Sequence, residues 1–306
     1  MKTKIYVPDI ECESCVKVLE KRFAKVPGII ETKFSLDALD ISYDEQKINL
    51  HQMIQLIKDV GYRASEHPFE RKTLKERGRE FLEKKAKYEV EHKLIPYTIL
   101  VFSLLTALQV IAYIIYFKNS PLFLEKYSWW LFYLNISIAT LGTALWHYLS
   151  YKAKITSMLG MMIAMTLGMQ TGMMLGAIIG ATNGLFLGAV IGLILGVSLG
   201  IFTGKSSGIM GVMQGMMAGL MGGIMGPMTT LMLYSDHLLW FMPLYMIVNI
   251  LIVWGFSYMI YEEMVENKEV KKEPIALSKL LGGTTILMAI LFSFIVYGIR
   301  SPLFGG

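Results

Sequence analysis

The sequence predicts a small α+β head joined to an all-α polytopic membrane domain, and three observations predict it. Charge is segregated: residues 1–93 hold 19 of the 29 Lys and Arg and 17 of the 24 Asp and Glu, whereas the stretch from Tyr127 to Tyr261 carries only Lys152, Lys154, Lys205 and Asp236. Apolar residues make up 54% of the 306 and mean hydropathy is +0.49, so most of the chain suits lipid. Glycine recurs at every fourth position from Gly168 to Gly208. Together these exclude a single water-soluble globule and a mostly disordered chain. The net charge of +5 calls for no nucleic-acid partner, because the lysines fall where a membrane protein keeps them.

The head reads in order. Residues 3–8 alternate and are β-rich, so they form a strand. The segment Cys12-Glu13-Ser14-Cys15 then runs into a helix with Val16, Leu19, Phe23 and Val26 on one face, stopped by Pro27-Gly28. A hairpin turning at Asp37 follows, then a second helix over 49–60, Gly61, and a short last strand at 62–65. The order βαββαβ in about 66 residues is the ferredoxin-like arrangement. The N-terminus has no apolar core of a signal peptide. Cys12 and Cys15 are the whole cysteine complement, so no disulfide framework exists, and a cytosolic head is expected.

Residues 1–66 resemble the heavy-metal-associated domain of copper chaperones and metal-pumping P-type ATPases. The resemblance rests on Cys12-Glu13-Ser14-Cys15, on Val26-Pro27-Gly28-Ile29, and on Gly61-Tyr62-Arg63-Ala64. It implies that Cys12 and Cys15 bind one soft ion on an exposed loop, with the Tyr62 ring beside that loop. The family's usual Gly-Met before the first cysteine is replaced here by Asp9 and Ile10, with Ile10 expected to plug the core. Asp9, Glu11 and Glu13 surround the thiols with negative charge, and Glu11 offers a hard oxygen ligand that linear Cu⁺ does not want. A residue like Glu11 is similar to the zinc- and cadmium-selective branch. The metal is thus Cu⁺ in first place, with Zn²⁺ as the alternative. A thioredoxin-like redox pair would need a longer βαβ context and a strand-end proline, and neither is present.

Residues 67–93 carry nine Lys or Arg and six Asp or Glu around an irregular apolar stripe. They read as a solvated charged helix or linker, the competing reading being a basic helix on anionic headgroups.

About seven transmembrane helices follow in 94–306, near 94–117, 128–149, 156–180, 185–203, 209–232, 237–261 and 280–299. With the N-terminus inside, inner loops carry Lys152, Lys154, Lys205, Lys268, Lys271 and Lys272, and outer loops Lys118 and Lys126, with Arg300 on the tail. That makes a multi-pass cell-membrane protein with a cytosolic head. The glycine stripe permits close backbone contact, predicting three tightly packed central helices ringed by the bulkier spans.

Fifteen of the 22 methionines lie between Met158 and Met232, almost all on the third and fifth spans, which share a local echo suggesting a parallel duplication. They are either gap fillers beside glycine or a ladder of thioethers suited to Cu⁺, with Met165, Met169, Met173, Met213, Met217 and Met221 as the candidate membrane path. The fourth span, equally glycine-rich, holds no methionine, which favours the metal reading. Gln170 and Gln214 are expected to face the bundle interior. His147, and Asp236 with His237, read as interfacial residues.

No phosphorylation motif, Cys-Pro-Cys membrane site or Walker A loop is present, so a non-enzymatic membrane protein of soft-metal transport or homeostasis is expected. Its partners would be the metal ion, the bilayer, a soluble metal chaperone and a second copy of itself. The alternatives are a membrane-anchored metal chaperone or sensor without transport, and a channel for another solute.

Overall fold

A computed structural model of the chain describes residues 2–8, 10, 13–35, 38–68, 79, 83, 88–118, 123–151, 155–266 and 275–300. For Glu13, Ser14, Cys15, Val265 and Glu266 it describes the backbone alone.

The head comprises β1 (Lys2–Tyr6), α1 (Glu13–Phe23), β2 (Ile29–Ser35), β3 (Ala38–Tyr43) and α2 (Leu50–Asp59). The strands form one antiparallel sheet in the order β1-β3-β2. Period-two alternation sends Leu39, Ile41 and Tyr43 to one face of β3, and Leu19 with Phe23 from α1 and Met53 with Ile57 from α2 close over them. Ile10 is buried in this same core, as the sequence suggested. Asn49 starts α2 with a capping box: its Oδ1 accepts from the Gln52 N–H at 2.8 Å, and its own N–H donates to Gln52 Oε1 at 3.1 Å. Gly28 sits at φ +105°, and a Cβ there would lie 2.8 Å from Lys47 Cβ, so both conformation and space require glycine.

The expected fourth strand is reduced to one bridge. Tyr6 and Ser65 exchange both amide hydrogen bonds, at 2.9 and 3.0 Å, and the pairing stops there. On one side Pro8 has no N–H to donate. On the other, the His67 N–H turns back onto Ser65 Oγ at 3.2 Å instead of reaching β1.

The charged segment 67–93 lies mostly outside the described residues. Seven long helices follow among the described residues: α3 (Glu89–Ala112, continued by a π turn to Phe117), α4 (Phe123–Leu149), α5 (Ser157–Asn183), α6 (Leu185–Gly204), α7 (Gly208–Met232), α8 (Leu238–Ile260, continued by a π turn, Tyr261–Glu266) and α9 (Leu277–Tyr297). Five helical stretches are long and apolar enough to cross a membrane: 89–117, 157–183, 185–232, 238–264 and 277–297. The 48 residues of 185–232 would reach about 72 Å if straight at ~1.5 Å per residue, more than twice a ~30 Å hydrocarbon core. Instead the chain reverses at the 3₁₀ turn Lys205–Ser207, where Gly208 has φ +72°. Gly204 then meets Gly211, Gly200 meets Gly215 and Gly196 meets Gly219, an antiparallel hairpin.

Helix α5 lies in the cleft of that hairpin. At Gly168 three backbones converge: a Cβ would stand 2.9 Å from the Gly215 oxygen and 3.2 Å from the Gly196 oxygen. One at Gly172 would lie 2.5 Å from the Gly223 nitrogen. Backbone contacts of Gly222 with Met169 and of Gly226 with Met173 show α5 and α7 running parallel.

The remaining helices do not complete a ring around this trio. Helices α3, α4, α8 and α9 gather on one side of α5. They are tied by Thr98 to Thr143 (3.0 Å), Asn135 to Gln109 (2.8 Å), Trp146 to the Ile275 carbonyl (3.0 Å), Tyr245 to the Met173 carbonyl (3.3 Å) and Asn183 to the Phe294 carbonyl (3.0 Å). Helix α7 spends its glycine face on α5 and α6, and among the described residues no helix covers its other face. The head meets the body through Arg63, 3.8 Å from Glu263 on the π turn after α8.

Candidate metal site and polar groups of the body

Residues Val7 and Ile10, both buried, anchor the loop between β1 and α1, with the Ile10 N–H directed to the Val7 carbonyl at 3.4 Å. Helix α1 starts at Glu13, so the backbone of Cys15 belongs to its first turn. A helix N-terminus favours negative charge, which is what a metal-binding thiolate carries. Asp9, Glu11 and Cys12 and the side chain of Cys15 lie outside the described residues. Tyr62 is 2% exposed and forms part of the head core, with its N–H directed to the Ile57 carbonyl at 3.3 Å. Gly28 and Gly61, the two glycines of the head's turns, both have φ above +100°.

A family model for the heavy-metal-associated domain matches residues 4–63. Two copper chaperones named CopZ align with the N-terminal segment. That of Staphylococcus haemolyticus is 32% identical over 60 residues, 19% of this chain and 88% of its own. That of Bacillus subtilis is 28% identical over 60 residues, 19% of this chain and 87% of its own. An uncharacterised protein of Haemophilus influenzae is 32% identical over 68 residues, 22% of this chain and its own entire length. Through its head, the chain belongs to the heavy-metal-associated family. No solved structure matches the chain. The heavy-metal-associated domain of this protein is therefore a complete small unit with its own core, set before a mostly helical body.

In the body, the candidate methionines do not line an enclosed path. Met165, Met213, Met217 and Met221 are exposed on the outer face, and Met169 and Met173 are half-buried at the α5–α7 seam. Glycine-to-glycine contact leaves no room between the helices for a thioether, so the long side chains are displaced outward. Met174, by contrast, is fully buried in the core of the body. Gln170 is buried as expected and its Oε1 has no hydrogen-bond partner among the described residues. Gln214 is exposed, contrary to expectation, because the adjacent Gly215 takes the inward position of that turn.

Asp236 and His237 are exposed and pair at 3.0 Å, as interfacial residues should. His147, also read as interfacial, is not exposed in this way. It is fully buried, with Nε2 3.4 Å from Glu91 Oε1, and the Tyr151 hydroxyl donates to that same oxygen. Glu91 falls in the charged segment before the first predicted span, so its sequence context reads as solvated. The signal that could have found the pair is helical phase, which carries the α3 face of Val101 and Leu105 back to Glu91.

Proposed function

We propose that this is an integral membrane protein that captures a soft metal ion on Cys12 and Cys15 and serves its transport or homeostasis, Cu⁺ being preferred and Zn²⁺ the second candidate. The observation that carries this reading is the heavy-metal-associated match over 4–63, which contains both cysteines and precedes five apolar helical stretches. The domains would be 1–66 for metal binding, 67–93 as linker and 94–306 in the bilayer, crossed seven times if α4 spans and the α6–α7 hairpin counts twice. An odd number of crossings from a cytosolic head agrees with the lysine distribution. The two relatives named as copper chaperones support Cu⁺. Glu11 supports Zn²⁺ through its hard oxygen.

The outward position of Met213, Met217 and Met221 favours a second reading, in which the body anchors the head and only the head meets metal. Metal uptake into proteoliposomes separates the two. Flux of Cu⁺ or Zn²⁺ above empty vesicles supports transport. No flux, with all bound metal recovered on a fragment ending at residue 93, supports the anchor.

A further inference from the structure

Among the described residues of the body, a buried carboxylate and a buried histidine from different helices come together. Glu91 of α3 is 8% exposed, and His147 and Tyr151, at and just beyond the end of α4, are 0% and 6% exposed. His147 Nε2 and the Tyr151 hydroxyl both address Glu91 Oε1, and the His147 and Tyr151 rings meet edge-on with centroids 5.6 Å apart. Glu91 Oε2 and His147 Nδ1 are buried with no hydrogen-bond partner among the described residues. A structural pair is normally saturated, because an unmade buried hydrogen bond costs about 1–3 kcal/mol.

The charge account is equally incomplete. With Nε2–H donating to Oε1, a neutral His147 keeps a bare lone pair at Nδ1, and the buried cluster carries the single negative charge of the carboxylate. A proton added at Nδ1 makes the imidazolium and brings the pair to zero net charge. Removing it restores the negative charge. Only one proton moves, and no bond other than N–H forms or breaks.

The titratable groups on the surrounding described elements are as follows. On α3, Glu89 pairs with Lys93, and His92 Nδ1 lies 2.8 Å from the Tyr88 carbonyl. On α4, the Tyr148 hydroxyl donates to Ser206 at 3.1 Å. The α8 end brings Tyr258, Tyr261, Glu262 and Glu263, the last paired with Arg63. Lys152 and Lys154 lie outside the described residues. Glu91 also lines a mostly apolar groove of about 570 Å³ between α3, α4 and α8.

We propose that Glu91, His147 and Tyr151 form a proton-carrying site of the membrane body, with His147 as the group that takes and releases the proton and Glu91 as its fixed counter-charge. A buried carboxylate–histidine pair suits this task because a buried charge must be neutralised by a partner or a proton. Use of the site to couple metal movement to a proton gradient rests on the transport reading above.

Nitrogen-15 NMR of the full chain with labelled histidine tests the site without any need for transport. Five histidines are present, and His147→Gln identifies the signal to follow. The expected result is an imidazolium signature for His147 at mildly acidic pH that disappears at alkaline pH, and that is lost at the same acidic pH in Glu91→Gln. Tyr151→Phe, which keeps the ring, should preserve the response. A His147 ring in one protonation state throughout, or a response unchanged in Glu91→Gln, overturns the proposal. So does stoichiometric Zn²⁺ on this site in a chain carrying Cys12→Ser and Cys15→Ser, which would make it a metal site. In proteoliposomes, a gradient of one pH unit should drive about tenfold metal accumulation at one proton per ion, absent in Glu91→Gln. Metal flux in the unaltered chain that ignores the gradient removes the coupling role. Absence of all flux removes the transport reading, while the NMR result still decides the site.

Discussion

The head and the body solve opposite packing problems. In the head, large side chains meet: Leu19, Leu39, Ile41, Met53 and Ile57 are buried together between three strands and two helices. In the α5–α6–α7 trio the side chains are missing where helices meet, and backbone touches backbone at Gly168, Gly172, Gly200 and Gly215. Water drives the first arrangement, since apolar area removed from solvent is worth roughly 25 cal/mol per Å². Lipid offers no such gain, so the second arrangement lives on close contact. The same residue class therefore changes its meaning along the chain: a long apolar side chain is core in the head and periphery on α7, while α5 still buries Ile163, Leu167 and Ile178 against its other neighbours.

Three substitutions sharpen that contrast. Truncating Leu19 to Ala should cost the head about 2–5 kcal/mol, read as a lower denaturation midpoint in urea with the body's helical signal unchanged. Gly200→Val adds a three-carbon isopropyl group where α6 meets the Gly215 backbone. It should cost about 1–3 kcal/mol or more, measured as earlier thermal loss of helicity in detergent, while the head keeps its own transition. A single transition shared by both parts would break the comparison. The smallest effect belongs to Met217→Leu, on the exposed face of α7. A surface change of this kind should stay within about 0.5 kcal/mol. A much larger loss would mean that this face is covered by another chain.

Much of this architecture was legible in the sequence because its signals are local. The breaks read at Gly28, Gly184 and Gly208 have positive φ, although α1 already ends at Phe23, and the span limits agree with α3 to α9 to within a few residues at most ends. What escaped is tertiary. The last head strand has suitable residues, but Pro8 and the His67–Ser65 turn cut its pairing to one bridge. The methionine ladder has helical periodicity, yet periodicity cannot say whether a face looks inward, and the glycines occupied the inside first. His147 lies near a predicted span end, and only the approach of Glu91 from a neighbouring helix makes it a buried pair. For the head's family the sequence carried nearly everything: the cysteine spacing and both glycine turns point to the domain, and the family match over 4–63 agrees.

The central claim is that the head holds a soft metal ion on two thiolates. Metal analysis of the full chain under reducing conditions, beside the Cys12→Ser/Cys15→Ser variant, tests it most directly. The account predicts one equivalent of Cu⁺ or Zn²⁺ that the double variant loses, with any ion retained belonging to the body. Equal metal content in the two proteins would contradict it.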